Sequence, residues 1–324
     1  MKLLSRCLLG AWALTAASLA HAQAYPSRPV RIIVPSSAGS GTDVGMRVLG
    51  EGFQRATGQG FIIDNRPGGA GNIGMVAAMK SAPDGYTLVT AGLGVTVVNQ
   101  FLYTPAQMGF DPVKDFETII LIARLPYVIA ANAQFPANNI RELIALAKAR
   151  PGAINVALTT TSIRMVYELL TRSASISLFP VIYKVTGAGV TDTASGQTQL
   201  MIETVPGMRP ALTTAGGRLK PIAVTGRSTS ALLPGVTSVA EQGLPGFEVE
   251  GYVSLYAPKD TPREAINFIN AELNKQLANP DVRKRFIDLG LEPGGGTPQE
   301  LADFEVEGRK KWGPIIKAAN ITPD

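Results

Sequence analysis

The sequence predicts an α/β protein built from two lobes that are joined by two extended crossings. Short apolar strands alternate with helices at the spacing of βαβ units, which favours a mainly parallel sheet flanked by helices in each lobe. The alternation stops at the long apolar run Phe116–Asn132, starts again after it, and ends at a second extended segment, Gly251–Ala257. Two such crossings indicate a hinge, with a cleft at the carboxyl ends of the strands where the loops of the two lobes face each other.

The first βα unit carries the strongest signal for a binding site. Arg31–Pro35 is a β-branched run that predicts a buried strand, Ser36–Gly41 is a loop of small residues, and Val44–Arg55 is a predicted helix. Main-chain N–H groups and the positive end of the helix dipole converge at such a loop, so it attracts an anion without a charged side chain. We therefore predict that it binds the carboxylate of a small molecule. The candidate ligand-binding residues here are Ser36, Ser37, Gly39, Ser40, Gly41, Thr42 and Asp43.

The remainder of the first lobe repeats the order of strand, loop and helix. Strands are predicted at Phe61–Asp64 and Thr87–Ala91, with a glycine-rich loop at Asn65–Asn72 and a helix at Ile73–Lys80. The loop after the later strand adds two candidate ligand-binding residues, Gly92 and Thr96.

In the second lobe, a cluster of hydroxyls follows the predicted strand Ile154–Leu158. Because the cluster precedes a helix predicted at Arg164–Arg172, its hydroxyls can cap that helix, face the cleft, or do both. Arg164 stands in the first helical turn, where the dipole disfavours a cation. It is either a surface arginine or a bidentate partner for a second ligand carboxylate. The candidates of this cluster are Thr159, Thr160, Thr161, Ser162 and Arg164.

Glu203 and Thr204 end a further strand of the second lobe and complete the candidate set. Glu203 is either a solvated or capping carboxylate, or a carboxylate that faces the cleft. The other predicted elements are the helices Ile140–Ala149, Gly187–Ala194, Pro206–Ala215, Ala265–Ala278, Asp281–Leu289 and Leu301–Trp312 and the strands Phe179–Lys184, Gln199–Thr204 and Pro221–Thr225.

The N-terminus has the pattern of a cleaved secretory signal over residues 1–22. A basic start is followed by an apolar run that is too short to span a membrane, and the run ends at Ala20-His21-Ala22, a small-x-small cleavage site. Cleavage removes the single cysteine, Cys7, and the single histidine, His21. The mature chain then has no thiol nucleophile, no imidazole base, and no nitrogen or sulfur metal ligand, so we predict no catalytic residues, metal or cofactor.

Length and charge restrict the remaining function classes. A chain of 324 residues exceeds a single typical core. We place one lobe at residues 23–124 plus 244–324 and the other at 125–243. Loss of Lys2 and Arg6 leaves 28 basic against 25 acidic residues, a mild and scattered positive charge that argues against nucleic acid.

The glycines of the first loop also allow a different function. The spacing Gly39-x-Gly41-x-x-x-Gly45, with Asp64 at the end of the second strand, resembles a dinucleotide-binding fingerprint. The spacing is one residue off the usual form, and a secreted protein meets little nicotinamide cofactor. A nucleotide-cofactor-dependent enzyme on this loop is therefore the alternative to a binding protein.

Ordered motifs from Tyr25 to Ile321 resemble a known family, the substrate-binding receptors of tripartite tricarboxylate transporters, also called Bug receptors. The matching stretches are Tyr25-Pro-Ser-Arg-Pro29, Gly41-Thr42-Asp43, Asn65-Arg66-Pro67-Gly68, Gly71-Asn72-Ile73-Gly74, Ala82-Pro-Asp-Gly-Tyr-Thr-Leu88, Phe110-Asp-Pro-Val-Lys-Asp-Phe116, Glu142-Leu-Ile-Ala-Leu-Ala-Lys148, Leu233-Pro-Gly-Val236, Val239-Ala-Glu-x-Gly-Leu-Pro-Gly246 and Gly295-Gly-Thr-Pro298.

The resemblance implies a two-lobed fold of the type II periplasmic-binding-protein kind. It also implies a periplasmic receptor that closes over a small carboxylate, such as a dicarboxylate or an aromatic carboxylate, and delivers it to a membrane permease. A ligand-sensing role with a membrane sensor kinase is a further alternative, and we expect a monomer. In the family, the first-strand loop holds one ligand carboxylate. The positions that correspond to it and to the rest of the cleft are Ser36–Asp43, Gly92–Thr96, Thr159–Ser162 and Glu203–Gly207.

Three departures from the family pattern bear on the ligand. The first loop has Ser36-Ser37-Ala38 where an aromatic residue and prolines are usual, which makes the floor smaller and more polar. The second-lobe loop Thr159–Arg164 is shorter than usual, and Val185 follows Tyr183-Lys184 where a glycine is usual. These changes affect which carboxylate fits.

Overall fold

The computed structural model describes residues 25–213, 217–226 and 233–319. The predicted signal peptide, with Cys7 and His21, lies outside the described residues, as does the predicted end of a helix at Ala215.

Ten strands form one continuous, curled sheet of mixed direction. The strand order is β2-β1-β3-β9-β4-β7-β5-β6, and β8 and β10 both pair with β4. The strands that precede the crossovers pair in parallel, whereas the crossing strands β4 and β9 pair antiparallel with their neighbours. The strands are β1 (Val30–Val34), β2 (Phe61–Asn65), β3 (Thr87–Ala91), β4 (Phe116–Asn132), β5 (Asn155–Leu158), β6 (Phe179–Ile182), β7 (Leu200–Thr204), β8 (Leu219–Val224), β9 (Glu250–Pro258) and β10 (Glu292–Gly295).

Helices cover both faces of this sheet. Their bounds are α1 (Gly41–Thr57), α2 (Asn72–Met79), α3 (Asn99–Leu102), α4 (Pro105–Met108), α5 (Ile140–Ala149), α6 (Thr161–Ala174), α7 (Thr186–Ser195), α8 (Val205–Thr213), α9 (Arg263–Ala278), α10 (Pro280–Asp288) and α11 (Pro298–Ala319). A 3₁₀ turn at Gly69–Gly71 precedes α2, and a π-helical turn at Gly94–Val98 leads directly into α3. Sequence analysis missed α3, α4, this π turn and β10.

The long strand β4 joins two lobes. Its first half, up to Pro126, pairs with β9, and its second half, from Tyr127, pairs with β7 and β8. We call the part of the fold around β1–β3, β9 and β10 lobe 1, and the part around β5–β8 lobe 2. The prediction that Phe116–Asn132 crosses between the lobes agrees with these pairings, and the chain limits given above for each lobe stay a prediction.

Each lobe has its own apolar core. In lobe 1, strand β1 supplies fully buried residues such as Ile32 and Val34, which pack against Met46 and Phe53 of α1. Burial of each such aliphatic side chain stabilises the fold by about 1.5–3 kcal/mol. In lobe 2, residues such as Met201 and Val224 form a corresponding cluster.

The C-terminal helix α11 contacts both lobes. Leu301 packs into a lobe 1 cluster with Ile33, whereas Trp312 and Ile316 pack into the cluster that contains Leu158 of lobe 2. This helix is also longer than predicted, because it continues beyond Trp312 and through Pro314. The helix therefore bridges the two lobes, although the sequence predicts that it belongs to lobe 1.

Candidate functional site

A cleft of about 1510 Å³ lies between the two lobes, at the carboxyl ends of β1, β3, β5 and β7. Loops of lobe 1 form one wall, and loops of lobe 2 form the other. Segments of the two crossing strands, around Tyr127 and Tyr252, also line it. This is the position that the predicted strand and loop order requires.

Helix N-termini surround the cleft. Each helix directs its unpaired first-turn N–H groups and its positive dipole end toward this region. Among the described lining residues, Lys184 is the one cation and Glu203 the one carboxylate. The field that attracts an anion therefore arises mainly from the main chain. The lining residues at these helix starts are Ser40 of α1, Asn72 of α2, Thr160 of α6, Thr186 of α7 and Thr204, which immediately precedes α8.

The first loop is held in shape by the carboxylate of Asp43, which is 2 % exposed. Asp43 accepts hydrogen bonds from Gly39 N–H at 2.9 Å, Asn65 Nδ2 at 3.2 Å and Arg47 Nη2 at 2.9 Å. Burial by itself raises the pKa of this carboxyl, but the hydrogen bonds from these partners together hold the pKa below its usual value. Asp43 thus fixes the loop from behind, and the Gly39 N–H is already occupied.

The hydroxyls of this loop face the cleft. Ser36 Oγ and Ser40 Oγ lie 2.8 Å apart, and Ser40 Oγ caps α1 by accepting from Asp43 N–H at 3.3 Å. The first intrahelical bond runs from Val44 N–H to Ser40 O, so the amides of Gly41 and Thr42 precede the hydrogen-bond ladder of α1.

Most of the predicted site residues are brought together in the cleft lining. Four of the sixteen lie outside it, namely Gly41, Asp43, Thr96 and Arg164. The twelve that line the cleft are Ser36, Ser37, Gly39, Ser40, Thr42, Gly92, Thr159, Thr160, Thr161, Ser162, Glu203 and Thr204.

The four residues outside the lining have other contacts. A Cβ at Gly41 would lie 3.7 Å from both Leu291 and Pro206, so this glycine sits against apolar side chains. Thr96 Oγ1 is buried and lies 2.8 Å from the hydroxyl of Tyr252. The geometry of the cleft gives no support to a side-chain contact with a ligand from these residues, and Gly41 can contribute only its main-chain N–H.

Arg164 lies on α6 beside Tyr167 and Glu168. Burial raises the pKa of the Glu168 carboxyl, and the positive charge of Arg164 opposes that rise. The predicted helix start at Arg164 is three residues late, because Thr160 is the cap and α6 begins at Thr161. Arg164 is not among the residues that line the cleft.

The lobe 2 wall is organised by Glu203, which is 5 % exposed. Its Oε2 accepts from Thr159 Oγ1 at 2.7 Å and from Thr186 Oγ1 at 3.1 Å. Its Oε1 accepts from Thr204 N–H at 2.7 Å and from Thr204 Oγ1 at 3.2 Å. Both oxygens of this carboxylate are therefore satisfied by neutral donors.

Sequence analysis missed several lining residues, of which two tyrosines are the most informative. Tyr127 is 3 % exposed. Burial and the nearby negative charge of Glu203 raise its pKa to about 12, although a hydrogen bond with Ser162 lowers the pKa in part. Tyr252 is pinned by Thr96 and by Glu305 of α11. Their one sequence signal is that both stand in the crossings. The other missed polar residues of the lining are Asn72, Thr90, Tyr103, Gln107, Lys184 and Thr186.

The dinucleotide alternative lacks its acidic group. Asp64 Oδ2 accepts from Arg31 and, at 2.9 Å, from Arg66 Nε, so the carboxylate is committed to two guanidinium groups. Asp64 is also absent from the lining of the cleft.

Metal clusters and membrane-spanning helices are not found in the described part of the chain. Within residues 25–213, 217–226 and 233–319, no group of three or more acidic, histidine or cysteine side chains is placed to hold a metal ion. None of the helices in those ranges combines the length and apolarity needed to cross a bilayer.

Two α/β lobes joined by crossing strands, with a cleft lined by helix N-termini, define a solute-binding protein. A sequence profile described as tripartite tricarboxylate transporter family receptor matches residues 46–321. The chain therefore belongs to the tripartite tricarboxylate transporter receptor family. Members of this family, and the solved structures that are similar to this chain, are receptors that bind solutes and are not enzymes.

Individual relatives agree with this assignment. The chain is similar to a UPF0065 protein of Bordetella bronchiseptica, with 34% identity over 328 residues that cover 99% of this chain and 95% of that protein. The structure of Rpa4515 of R. palustris with adipate has 30% identity and a TM-score of 0.85, covering 93% of this chain and all of the other. The structure of MatC from Rhodopseudomonas palustris with bound malate has 27% identity and a TM-score of 0.78, covering 90% of this chain and all of the other.

Proposed function

We propose that this protein is a periplasmic receptor that captures a small organic carboxylate in the interlobe cleft and delivers it to a tripartite tricarboxylate-type membrane permease. The observation that carries the proposal is the convergence of helix N-termini and hydroxyl side chains on one cleft that has a single carboxylate and a single cation among its described lining residues. Oriented amides bind a carboxylate well when the site excludes water, because the donors need no reorganisation.

Binding closes the cleft at a hinge in the two crossing strands. Near the exchange point of β4, Arg124 Nη1 lies 3.7 Å from Glu250 Oε2, and the guanidinium stacks over Phe304 of α11. The lobes also lie close together across the cleft, since a Cβ at Gly94 would be 3.6 Å from the hydroxyls of Thr161 and Ser162. Ligand stabilises the closed state because only that state offers donors from both walls at once.

The twelve lining residues of the predicted set are the proposed ligand-binding residues. Lobe 1 holds the carboxylate through Ser36, Ser40 and the first-turn amides of α1, while Thr160 and Ser162 approach from lobe 2. The structures of relatives with adipate and with malate support a carboxylate as the ligand class. A dicarboxylate or an aromatic carboxylate, a monomeric state and a cleaved signal over residues 1–22 remain predictions from the sequence.

A thermal-shift screen of carboxylic acids on the protein without residues 1–22 tests this function. A ligand that binds the folded form stabilises it by about 2.7 kcal/mol when its concentration is 100 times Kd. We expect at least one free acid to raise Tm by several degrees, and its methyl ester to raise Tm much less. Isothermal titration calorimetry of the hit then gives Kd and stoichiometry. A panel of aliphatic, aromatic and amino-acid carboxylates without a single binder would refute the proposal.

A further inference from the structure

The two walls of the cleft differ around their carboxylates, where one wall presents hydrogen-bond donors to a ligand and the other presents acceptors. Glu203 lies in the lobe 2 wall with three threonine hydroxyls directed at it, from Thr159, Thr186 and Thr204. Glu203 and these threonines all line the cleft.

A carboxylate accepts hydrogen bonds and cannot donate them, whereas a hydroxyl has one hydrogen and two lone pairs. Each threonine therefore donates its single hydroxyl hydrogen to Glu203, and only the lone pairs of its oxygen remain available to a ligand. Thr204 Oγ1 already uses one lone pair to accept from Gly207 N–H at 3.3 Å. Thr159 and Thr186 retain theirs. This part of the wall consequently offers acceptors and carries one negative charge.

The opposite wall offers donors. Its first-turn amides at Gly41 and Thr42 precede the hydrogen-bond ladder of α1, and the dipole of this 17-residue helix adds positive potential. Its own carboxylate, Asp43, is directed behind the loop and bonded to Arg47. A ligand that extends from the N-terminus of α1 to Glu203 is therefore bound between donors on lobe 1 and this acceptor patch on lobe 2, while the N-termini of α6, α7 and α8 supply donors beside the patch.

Building on the proposed function, we propose that the preferred ligand is a monocarboxylate whose second polar group is a hydrogen-bond donor, above all an ammonium, and that Glu203 sets this preference. The carboxylate binds lobe 1, and the ammonium lies against Thr159, Thr186 and the charge of Glu203. A second carboxylate in that place would meet lone pairs and a like charge, which is unfavourable. The lysine of the lining, Lys184, is solvent-exposed, so water screens its charge.

The substitution Glu203→Gln reverses the polarity of this wall with little change in shape. The amide oxygen of Gln must face the fixed donor Thr204 N–H, so the NH₂ group replaces Oε2 opposite Thr159 and Thr186. Those hydroxyls then accept from the amide, and their hydrogens are released toward the cleft. The variant should therefore accommodate a second carboxylate better than the native protein does.

The experiment uses isosteric ligands and isothermal titration calorimetry on the chain without residues 1–22. Three sets are built on succinate, adipate and terephthalate, with the second carboxylate replaced in turn by aminomethyl, hydroxymethyl and methyl. We expect the aminomethyl member of the best-binding set to bind the native protein at least about tenfold more tightly than the dicarboxylate. In Glu203→Gln we expect this ratio of affinities to be at least about tenfold smaller than in the native protein, which corresponds to about 1.4 kcal/mol.

Two variants serve as controls. Glu307→Gln removes the same charge from an exposed site of α11 and should leave the ratio unchanged. Lys184→Met tests whether the exposed lysine binds a second acid group instead. Circular dichroism and Tm establish that each variant is folded, and a selectivity ratio measured on one folded sample does not depend on its stability.

The outcomes are distinct. If no member of any set binds, the proposed function itself fails. If dicarboxylates bind the native protein best and Glu203→Gln leaves the order unchanged, the function stands and the role of Glu203 is wrong. If dicarboxylates bind best and Lys184→Met abolishes that preference, the lysine rather than Glu203 determines the ligand class.

Discussion

Each wall of the cleft has one buried carboxylate, and the two carboxylates have opposite roles. Asp43 in lobe 1 is turned behind its loop, where Arg47, Asn65 and the Gly39 amide surround it. Glu203 in lobe 2 stays in the cleft lining and is bonded by neutral donors. The difference shows how a carboxylate can either create a donor surface, by hiding its charge and fixing a loop, or create an acceptor surface, by orienting hydroxyls.

Replacement of the lobe 1 carboxylate should have the largest effect. Asp43→Ala removes the buried acceptor that holds Gly39 N–H, Asn65 and Arg47, and it releases the first loop. We expect a loss of about 2–3 kcal/mol in the free energy of unfolding. Affinity for every carboxylate should fall together, without a change in selectivity, because the donor surface itself is lost. Urea unfolding and calorimetry measure the two effects. A variant that lost selectivity instead would contradict the division of roles between the walls.

Acid pH should remove the stability that the same carboxylate contributes, with a smaller effect than its replacement by alanine. The pKa of Asp43 is lowered in the folded state, so its contribution to stability is complete above the unfolded value of about 3.9. That contribution is lost as pH falls from there through the folded pKa. The stability of the native protein should therefore drop more steeply than that of Asp43→Asn below about pH 4. Urea unfolding of both proteins at several pH values checks this, and parallel curves would show that Asp43 contributes no such stability.

A smaller change in the lobe 2 wall is Thr186→Val. It removes one of the hydroxyls directed at Glu203 while keeping the β-branched shape, at a cost of about 1 kcal/mol in stability. We expect the affinity of the aminomethyl ligands to fall by a factor of about five, since one acceptor is lost, while affinity for the methyl analogues stays the same. Equal losses for both ligand types would mean that Thr186 acts on the cleft only through stability.

The smallest effect is expected at Arg164. Because this residue lies on α6 outside the lining of the cleft, Arg164→Ala should change the affinity for any carboxylate by less than about twofold. A loss of tenfold or more, confined to ligands with two acid groups, would restore the sequence-based hypothesis that Arg164 pairs with a second carboxylate.

Local patterns were sufficient to predict the elements that position the site. The strands Thr87–Ala91 and Phe116–Asn132 and the helix Ile140–Ala149 are found with the predicted bounds. Their apolar periodicity and their caps act within a few residues of sequence. The small residues of the first loop likewise imply a helix N-terminus, whichever lobe lies opposite.

Features that depend on long-range pairing could not be predicted in this way. The antiparallel pairing of β4 with β9 brings Tyr252 opposite Arg124, although the two residues are far apart in the chain. The start of α1 did have a local signal, since Ser40 with an acidic residue three positions later is typical of a helix start. The direction of the hydroxyls around Glu203 had none, because Thr159 and Thr186 lie at the starts of different helices.

The helix that bridges both lobes gives the molecule a built-in optical probe. Once residues 1–22 are removed, Trp312 of α11 is the sole indole of the chain, and it is 4 % exposed in the cluster shared with lobe 2. Any rotation of one lobe against the other must slide or strain the packing around this ring. Its emission should therefore shift when ligand closes the cleft, so that the kinetics of closure can be followed without a label.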